Sequence, residues 1–178
     1  MLKTDRLILN DFEIEDAQLV SELAGDIRVV NMTSAIPYPY KKSMALEWIN
    51  SHKRQREEKN NHIFAIRKKD SLELIGCINI SFENKHDRGY LGYWIGHPNW
   101  GKGFCTEALN EVIKYGFSFK GINKIWATHK TNNIASARVM EKSGMSHEGI
   151  MRSHHKEKEG EYLDMSIKSI LRSEFDRF

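Results

Sequence analysis

Gly89-Tyr90-Leu91-Gly92-Tyr93-Trp94-Ile95-Gly96-His97-Pro98-Asn99-Trp100-Gly101-Lys102-Gly103-Phe104-Cys105-Thr106 reads as a strand that ends in a glycine turn. Gly101 and Gly103 permit a tight turn and a close backbone approach, and a helix begins at Thr106 or a neighbour. The first amides of a helix have no partner inside it, so such an end attracts phosphate. Cys105, Ala108, Leu109, Val112, Ile113, Gly116 and Phe117 fall at offsets 0, 3, 4, 7, 8, 11 and 12, one apolar stripe at helical period. The turn therefore sits on a buried helix. It is not a Walker loop, which needs four residues between its glycines followed by Lys-Ser/Thr. Nor does it continue as a dinucleotide fingerprint, since Thr106 stands at the third glycine and Gly121, Asn123 and Lys124 stand where an acidic ribose ligand would follow. Glycines also serve turns that bind nothing, and the spacing alone suits both uses.

Outward from this stretch, the composition is that of an ordinary soluble chain. With 178 residues, 40% hydrophobic and 29% charged, it can bury a full core, and a single domain spanning 1–178 is expected. The net charge of +3 is small, and Lys53-Arg54 and Arg67-Lys68-Lys69 read as solvated surface, so direct nucleic-acid binding is not expected. The start, Met1-Leu2-Lys3-Thr4-Asp5-Arg6, has no signal-like apolar core, and no run approaches membrane-spanning length. A cytoplasmic protein without a membrane partner is expected. Two cysteines, Cys77 and Cys105, suit reduced thiols, and the Asn-x-Ser/Thr triplets at Asn31 and Asn79 are then chance matches.

Residues 6–10 alternate around Leu7 and Leu9 as a strand, and 15–23 carry a helical pattern ending at Gly25. An irregular segment over 26–42 holds Pro37, Tyr38, Pro39 and Tyr40, which could wall a substrate pocket or simply pack down. A second helix follows over 43–59. Residues 62–67 and 72–82 form a hairpin, and the stretch 89–95 adds the next strand. After the helix over 106–120 comes a strand over 124–129, making a βαβ unit with parallel strands. Asn132 or Asn133 caps a helix that stops at Gly144, and a hairpin of 145–155 and 162–171 closes the chain through the polar turn 156–160.

In this order the chain resembles the Gcn5-related N-acetyltransferases (GNAT), specifically the branch with ribosomal-protein N-terminal (RimJ/RimL-like) and spermidine acetyltransferases. Three patterns carry the resemblance. Gly92-Tyr93-Trp94-Ile95, followed by Trp100-Gly101-Lys102-Gly103-Phe104-Cys105-Thr106, is similar to the family's Gln/Arg-x-x-Gly-x-Gly/Ala acetyl-CoA motif. Asn133-x-x-Ser136 continuing to Glu141-Lys142-Ser143-Gly144-Met145 is similar to the branch's Asn-x-x-Ser helix, and Tyr162-Leu163-Asp164 to its C-terminal Tyr-x-Asp. The resemblance implies an α/β (α+β) GNAT-like domain. Its sheet would be mixed, mostly antiparallel, with six to seven strands flanked by about four helices and two splayed parallel strands at its centre. It implies that the amides of Gly101, Lys102, Gly103, Phe104, Cys105 and Thr106 hold the pyrophosphate of the cosubstrate acetyl-CoA, with Trp100 also counted among the cofactor-binding residues. The strand backbone at Tyr93, Trp94 and Ile95 would pair with the pantetheine arm, Asn133 would bind pantetheine, and Ser136 would lie near the sulfur as an acid toward the leaving thiolate. Capping and local backbone bonding are the alternative uses of both residues, and for Asn133 the two readings weigh equally.

The departures bear on mechanism. Trp100 replaces Gln or Arg and Cys105 replaces Gly or Ala in the loop motif, where Cys105 reads as core filler more than as a reactive thiol. Met140 stands where many relatives have the general-acid tyrosine, and Tyr90 where many have a glutamate, so the base is unassigned; Glu83, Asp87, His97 or a water chain are the candidates. Without a strong base, an acceptor of lysine type costs roughly 3 to 4 kcal/mol more to neutralise than an α-amine. The expected activity is direct acetyl transfer to a primary amine, foremost a peptide N-terminal α-amine. The alternatives are a small amine such as a polyamine or aminoglycoside, and a non-catalytic acetyl-CoA-binding protein. A monomer or homodimer is expected. No metal is expected, since adjacent His154 and His155 point to opposite faces of a strand and no ligand spacing completes a set with His147. No Gly-x-Ser-x-Gly elbow supports a serine hydrolase.

Overall fold

The structure, a computed structural model, describes residues 1–157 and 160–176. Among these residues eight strands make one sheet in the order β1-β2-β3-β4-β5-β6-β8-β7. They are β1 (Leu2–Lys3), β2 (Leu7–Asn10), β3 (Asn61–Lys68), β4 (Leu74–Glu83), β5 (Arg88–Ile95), β6 (Lys124–Lys130), β7 (Ser146–Lys156) and β8 (Tyr162–Leu171). Every neighbouring pair is antiparallel except β5 and β6. The parallel pair needs a crossover, and α5 (Phe104–Ser118) supplies it.

Apolar residues on the two faces of the sheet form two cores. On one face Leu7, Leu9, Ile66, Ile78, Ile80, Leu91 and Ile125 pack under Ala108, Leu109, Val112 and Ile113 of α5, with Met140 from α6 (Ile134–Lys142). On the other, Phe12, Ile63, Ala65, Leu74 and Cys77 meet Ala17 and Val20 of α1 (Ala17–Ala24) and Ala45 and Ile49 of α3 (Lys42–Asn50). The expected stripe on α5 is the buried one, and Gly116 in it lets the helix lie directly on Ile80 and Ile125.

The element count exceeds the six to seven strands and about four helices expected from sequence. The added strand is β1, two residues pairing Leu2 with Leu9. The segment over 26–42, expected to be irregular, contains α2 (Ile27–Met32). Asp26 caps it, its side chain accepting from the Arg28 amide at 2.9 Å, and the Arg28 guanidinium and amide hold the Asp26 carboxyl down at about 2. Six residues with one buried apolar side chain, Val29, are too few to register as periodicity. The helix expected over 43–59 is two helices, α3 and α4 (His52–Lys59), separated at Ser51, whose hydroxyl donates to the Trp48 carbonyl at 2.6 Å. A last short helix, α7 (Arg172–Phe175), follows β8. In the closing turn over 156–160, Lys158 and Glu159 lie outside the described residues.

Candidate active site

Strands β5 and β6 are paired only from Arg88 with Lys124 to Leu91 with Ala127. Beyond that point β5 stays bonded to β4, through Gly76 with Ile95, while β6 stays bonded to β8, through Lys130 with Met165. The two parallel strands therefore diverge, leaving a gap beside Tyr93, Trp94 and Ile95. Gly96 donates its amide to Ile75 on β4 at 2.8 Å. Backbone groups alternate sides along a strand, so Trp94 also turns toward β4, while the N–H and C=O of Tyr93 and Ile95 face the gap. The Ile95 carbonyl takes a hydrogen bond from the Trp100 indole at 2.6 Å.

The glycine turn closes one end of this gap. Gly101 and Gly103 have φ of 72° and 80°, the left-handed region that favours glycine. Gly103 is the N-cap of α5, which begins at Phe104 and not at Thr106, and the first i→i−4 bond is that of the Glu107 amide to the Gly103 carbonyl at 3.1 Å. The amides of Phe104, Cys105 and Thr106 precede it and are the unpaired donors of the helix end. A cavity of ≈ 490 Å³ adjoins them, lined in part by Arg6, Gly103, Thr106, Asn110 and Lys142. The Lys102 ammonium folds back onto the Pro98 carbonyl at 2.8 Å. Cys105 packs against the core, and burial pushes its thiol up to about 12, which makes it an inert filler.

Helix α6 closes the opposite side of the gap. Asn133 is its N-cap, its Oδ1 accepting from the Ser136 amide at 3.0 Å while its Nδ2 donates to the Met32 carbonyl at 3.1 Å. Its side chain thus joins the start of α6 to the end of α2. The Ser136 hydroxyl lies 2.7 Å from the Tyr93 hydroxyl, and either can donate. Burial, with the nearby Cys105, raises the Tyr93 phenol above its ordinary value even though the bond to Ser136 works against it. Met140 is buried in the core.

Among the sequence-derived base candidates, Glu83 and Asp87 lie near the far end of β5. Glu83 is paired with Arg88 at 2.6 Å, and Asp87 precedes Arg88. From Arg88 to Tyr93 is five residues, roughly 16 Å of strand. His97 is near the turn, its Nε2 3.4 Å from the Arg28 guanidinium and its ring 4.9 Å from that of Trp100. Tyr90 points to the face away from α5, where its ring lies tilted against that of Trp126 with centroids 4.6 Å apart and its hydroxyl meets that of Thr128 at 3.1 Å. The sequence reading missed His129, whose side of β6 is that of Ala127, toward α5 and α6. Its Nδ1 donates to the Lys130 carbonyl at 2.9 Å, burial lowers its pKa, and its Nε2 has no hydrogen-bond partner among the described residues. It also missed Thr4, Arg6 and Glu107, which converge on the glycine turn; a charged residue at a strand entrance and an acid in a helix's first turn were the signals.

A divergent parallel pair, a glycine turn at a helix N-terminus and a capped second helix across the gap define an N-acetyltransferase of the GNAT type. The chain belongs to the acetyltransferase (GNAT) domain family, which matches residues 6–146. An uncharacterized N-acetyltransferase, p20 of Bacillus licheniformis, is 30% identical over 175 residues, covering 98% of this chain and 97% of that protein. The ribosomal protein uS5-alanine N-acetyltransferase of Escherichia coli (strain K12) is 31% identical over 93 residues, 51% of this chain and 48% of that enzyme. The crystal structure of a GNAT-family acetyltransferase from Bacillus anthracis superposes with a TM-score of 0.84 at 25% identity, covering 97% of this chain and 98% of that one. The protein is an acyltransferase, and enzymes of its family carry acetyl from acetyl-CoA to amines.

Proposed function

We propose that this enzyme acetylates the N-terminal α-amine of a peptide or protein, using acetyl-CoA in a ternary complex. The observation that carries this reading is the divergence of β5 and β6, which leaves the Tyr93 and Ile95 backbone groups facing a gap between the glycine turn and Ser136. An extended pantetheine arm bonds to those groups as a strand would, and an N–H there polarises the thioester carbonyl as charge develops on its oxygen. The pyrophosphate sits on the amides of residues 101–106, with Trp100 supporting the turn through Ile95. Asn133 acts as the cap that aims Ser136, and Ser136 stabilises the departing thiolate while Tyr93 orients its hydroxyl. No metal or second cofactor is needed for this chemistry. Ser136→Ala is expected to lower kcat about tenfold with little change in the KM for acetyl-CoA, the signature of a contact made in the transition state.

The acceptor is inferred from proton chemistry and from the open face of the sheet. Around Tyr90 that face presents Asn61, Asn79, Ser81, Trp126 and Thr128, with Asn79 and Ser81 both donating to the Asn61 side-chain oxygen at 2.9 and 2.8 Å. These groups are uncharged, and the Arg88 guanidinium over the Trp126 ring is paired with the Glu83 carboxylate at 2.6 Å. An acceptor that must supply its own neutral amine is best an α-amine of pKa about 8 rather than an alkylamine of about 10.4. Initial rates with an alanine-initiated peptide and with spermidine, followed from pH 6 to 10, test this. With the peptide, kcat/KM is expected to rise through a midpoint near pH 8 and level off above about pH 9, and at pH 7.5 to exceed that for spermidine by roughly a hundredfold. Faster turnover of spermidine near neutrality would sink the assignment.

A further inference from the structure

Three side chains, two from the start of the chain and one from α5 about 100 residues later, meet beside the glycine turn. Glu107, in the first turn of α5, accepts at Oε1 from the Thr4 hydroxyl (2.5 Å) and the Arg6 amide (2.8 Å), and at Oε2 from Arg6 Nε (2.7 Å). The Arg6 guanidinium also reaches Glu107 Oε2 from Nη2 at 2.7 Å, making the pair bidentate. Its Nη1 donates to the carbonyl of Lys102, the residue between the two glycines, at 3.0 Å. The same guanidinium lies over the Phe104 ring, 4.6 Å from its centroid, on the first residue of the helix. Burial works against the Glu107 carboxylate, but the Thr4 hydroxyl and the Arg6 groups outweigh it and hold the carboxyl below its ordinary range.

We propose that Arg6 and Glu107 are positioning residues that lock the Gly101–Gly103 turn with its amides aimed at the donor's pyrophosphate, and so set acetyl-CoA affinity without touching the acceptor. The inference rests on the reading of that turn as the donor-binding loop. The physical case is that two residues with positive φ give the turn freedom to point its amides elsewhere. One bidentate guanidinium ties the middle carbonyl of the turn to a carboxylate on the helix and, through Thr4, to the strand entrance. Fixing that carbonyl fixes the peptide plane and the N–H of Gly103 with it. Charge alone argues the other way: Glu107 is an anion at a helix N-terminus, next to where an anionic ligand sits, so its removal by itself favours binding. The two mechanisms therefore predict opposite signs for one substitution.

Calorimetric titration of the full chain with CoA, for the wild type, Arg6→Gln, Glu107→Gln and the double variant, reads that sign. Each single change is expected to weaken CoA about tenfold, and the double no more than the weaker single, because the residues act as one unit. With saturating acetyl-CoA, kcat and the KM for the amine stay within about twofold of wild type. Turnover of S-acetylpantetheine, which lacks the pyrophosphate, stays at the wild-type value in every variant. Unchanged or tighter CoA binding by Glu107→Gln overturns the inference, as do equal losses with S-acetylpantetheine, which would mark a general loss of structure. If Glu107→Gln does not fold, Thr4→Val deletes one donor to the same carboxylate, and a Kd for CoA unchanged from wild type overturns the inference while about threefold weaker binding supports it. A wild type that neither binds CoA nor turns over any amine overturns the reading of the site itself, whereas wild-type binding with unaffected variants overturns the clamp alone.

Discussion

Gly103→Val is expected to weaken CoA binding on the order of a hundredfold, about 2.7 kcal/mol, while the fold persists. Gly103 holds φ 80° and ψ −1° as the N-cap of α5. A side chain in that region meets the following carbonyl at a cost of roughly 1–2 kcal/mol, and a β-branched one fares worse. The chain escapes the strain by leaving the left-handed region, which rotates the Lys102–Gly103 peptide and turns the first-turn amides away from the ligand. The added Cβ itself sits 3.4 Å from Arg6 Nη2, an ordinary contact, so the backbone conformation opposes the change. At Gly101 a Cβ meets nothing within 4 Å and only φ 72° opposes it. Gly101→Asn, which tolerates that φ, is expected to lose less than about tenfold, and Gly101→Val more. Titration with CoA ranks the three variants; an unchanged Kd in Gly103→Val would remove the turn from the donor site.

Gly116→Val is expected to cost at least about 3 kcal/mol of stability and to lower the melting temperature by roughly 6–12 °C. Gly116 is the point of closest approach between α5 and the sheet: a Cβ there would stand 2.6 Å from Ile125 Cδ1 and 2.7 Å from Ile80 Cδ1. Both isoleucines are fully buried, so neither can swing into solvent to make room. Close-packed interiors do not absorb three added methyl-sized groups without moving an element. The helix must lift, and because its other end carries the glycine turn, CoA affinity falls with it. Gly116→Ala gains helix propensity against a smaller clash and should lose less. Thermal melts of the three proteins decide the point, and a Gly116→Val melt within 2 °C of wild type, less than about 1 kcal/mol, would contradict the packing described.

Legibility differed between local and non-local features. The strand over 88–95, the glycine turn and the stripe on α5 were readable because each is written in consecutive residues: alternation, two glycines, then a period of 3.6. Asn133 was readable as a cap for the same reason, its acceptor lying three residues from the Ser136 donor. Helix α2 was not, since six residues carry too little period and its end is tied to Asn133 from 101 residues away. Glu83 and Asp87 were candidates by residue type, and the fold places them at the start of β5, five residues of strand before Tyr93. His97 could be placed near the turn from sequence, but its contact with Arg28 of α2 could not.

The candidate site divides along the same line. Residue order alone specified the parallel unit and the helix N-terminus behind the glycines, because backbone conformation is a local property, while the resemblance to the family marked Met140 and Tyr90 as departures from its pattern. Only the folded chain decided that β5 and β6 part after Leu91 and Ala127, that the Tyr93 hydroxyl meets Ser136 43 residues away, and that Arg6 and Glu107 close on the turn across 101 residues. Those contacts depend on where the two outer halves of the sheet carry their strands, and no window of sequence contains both partners.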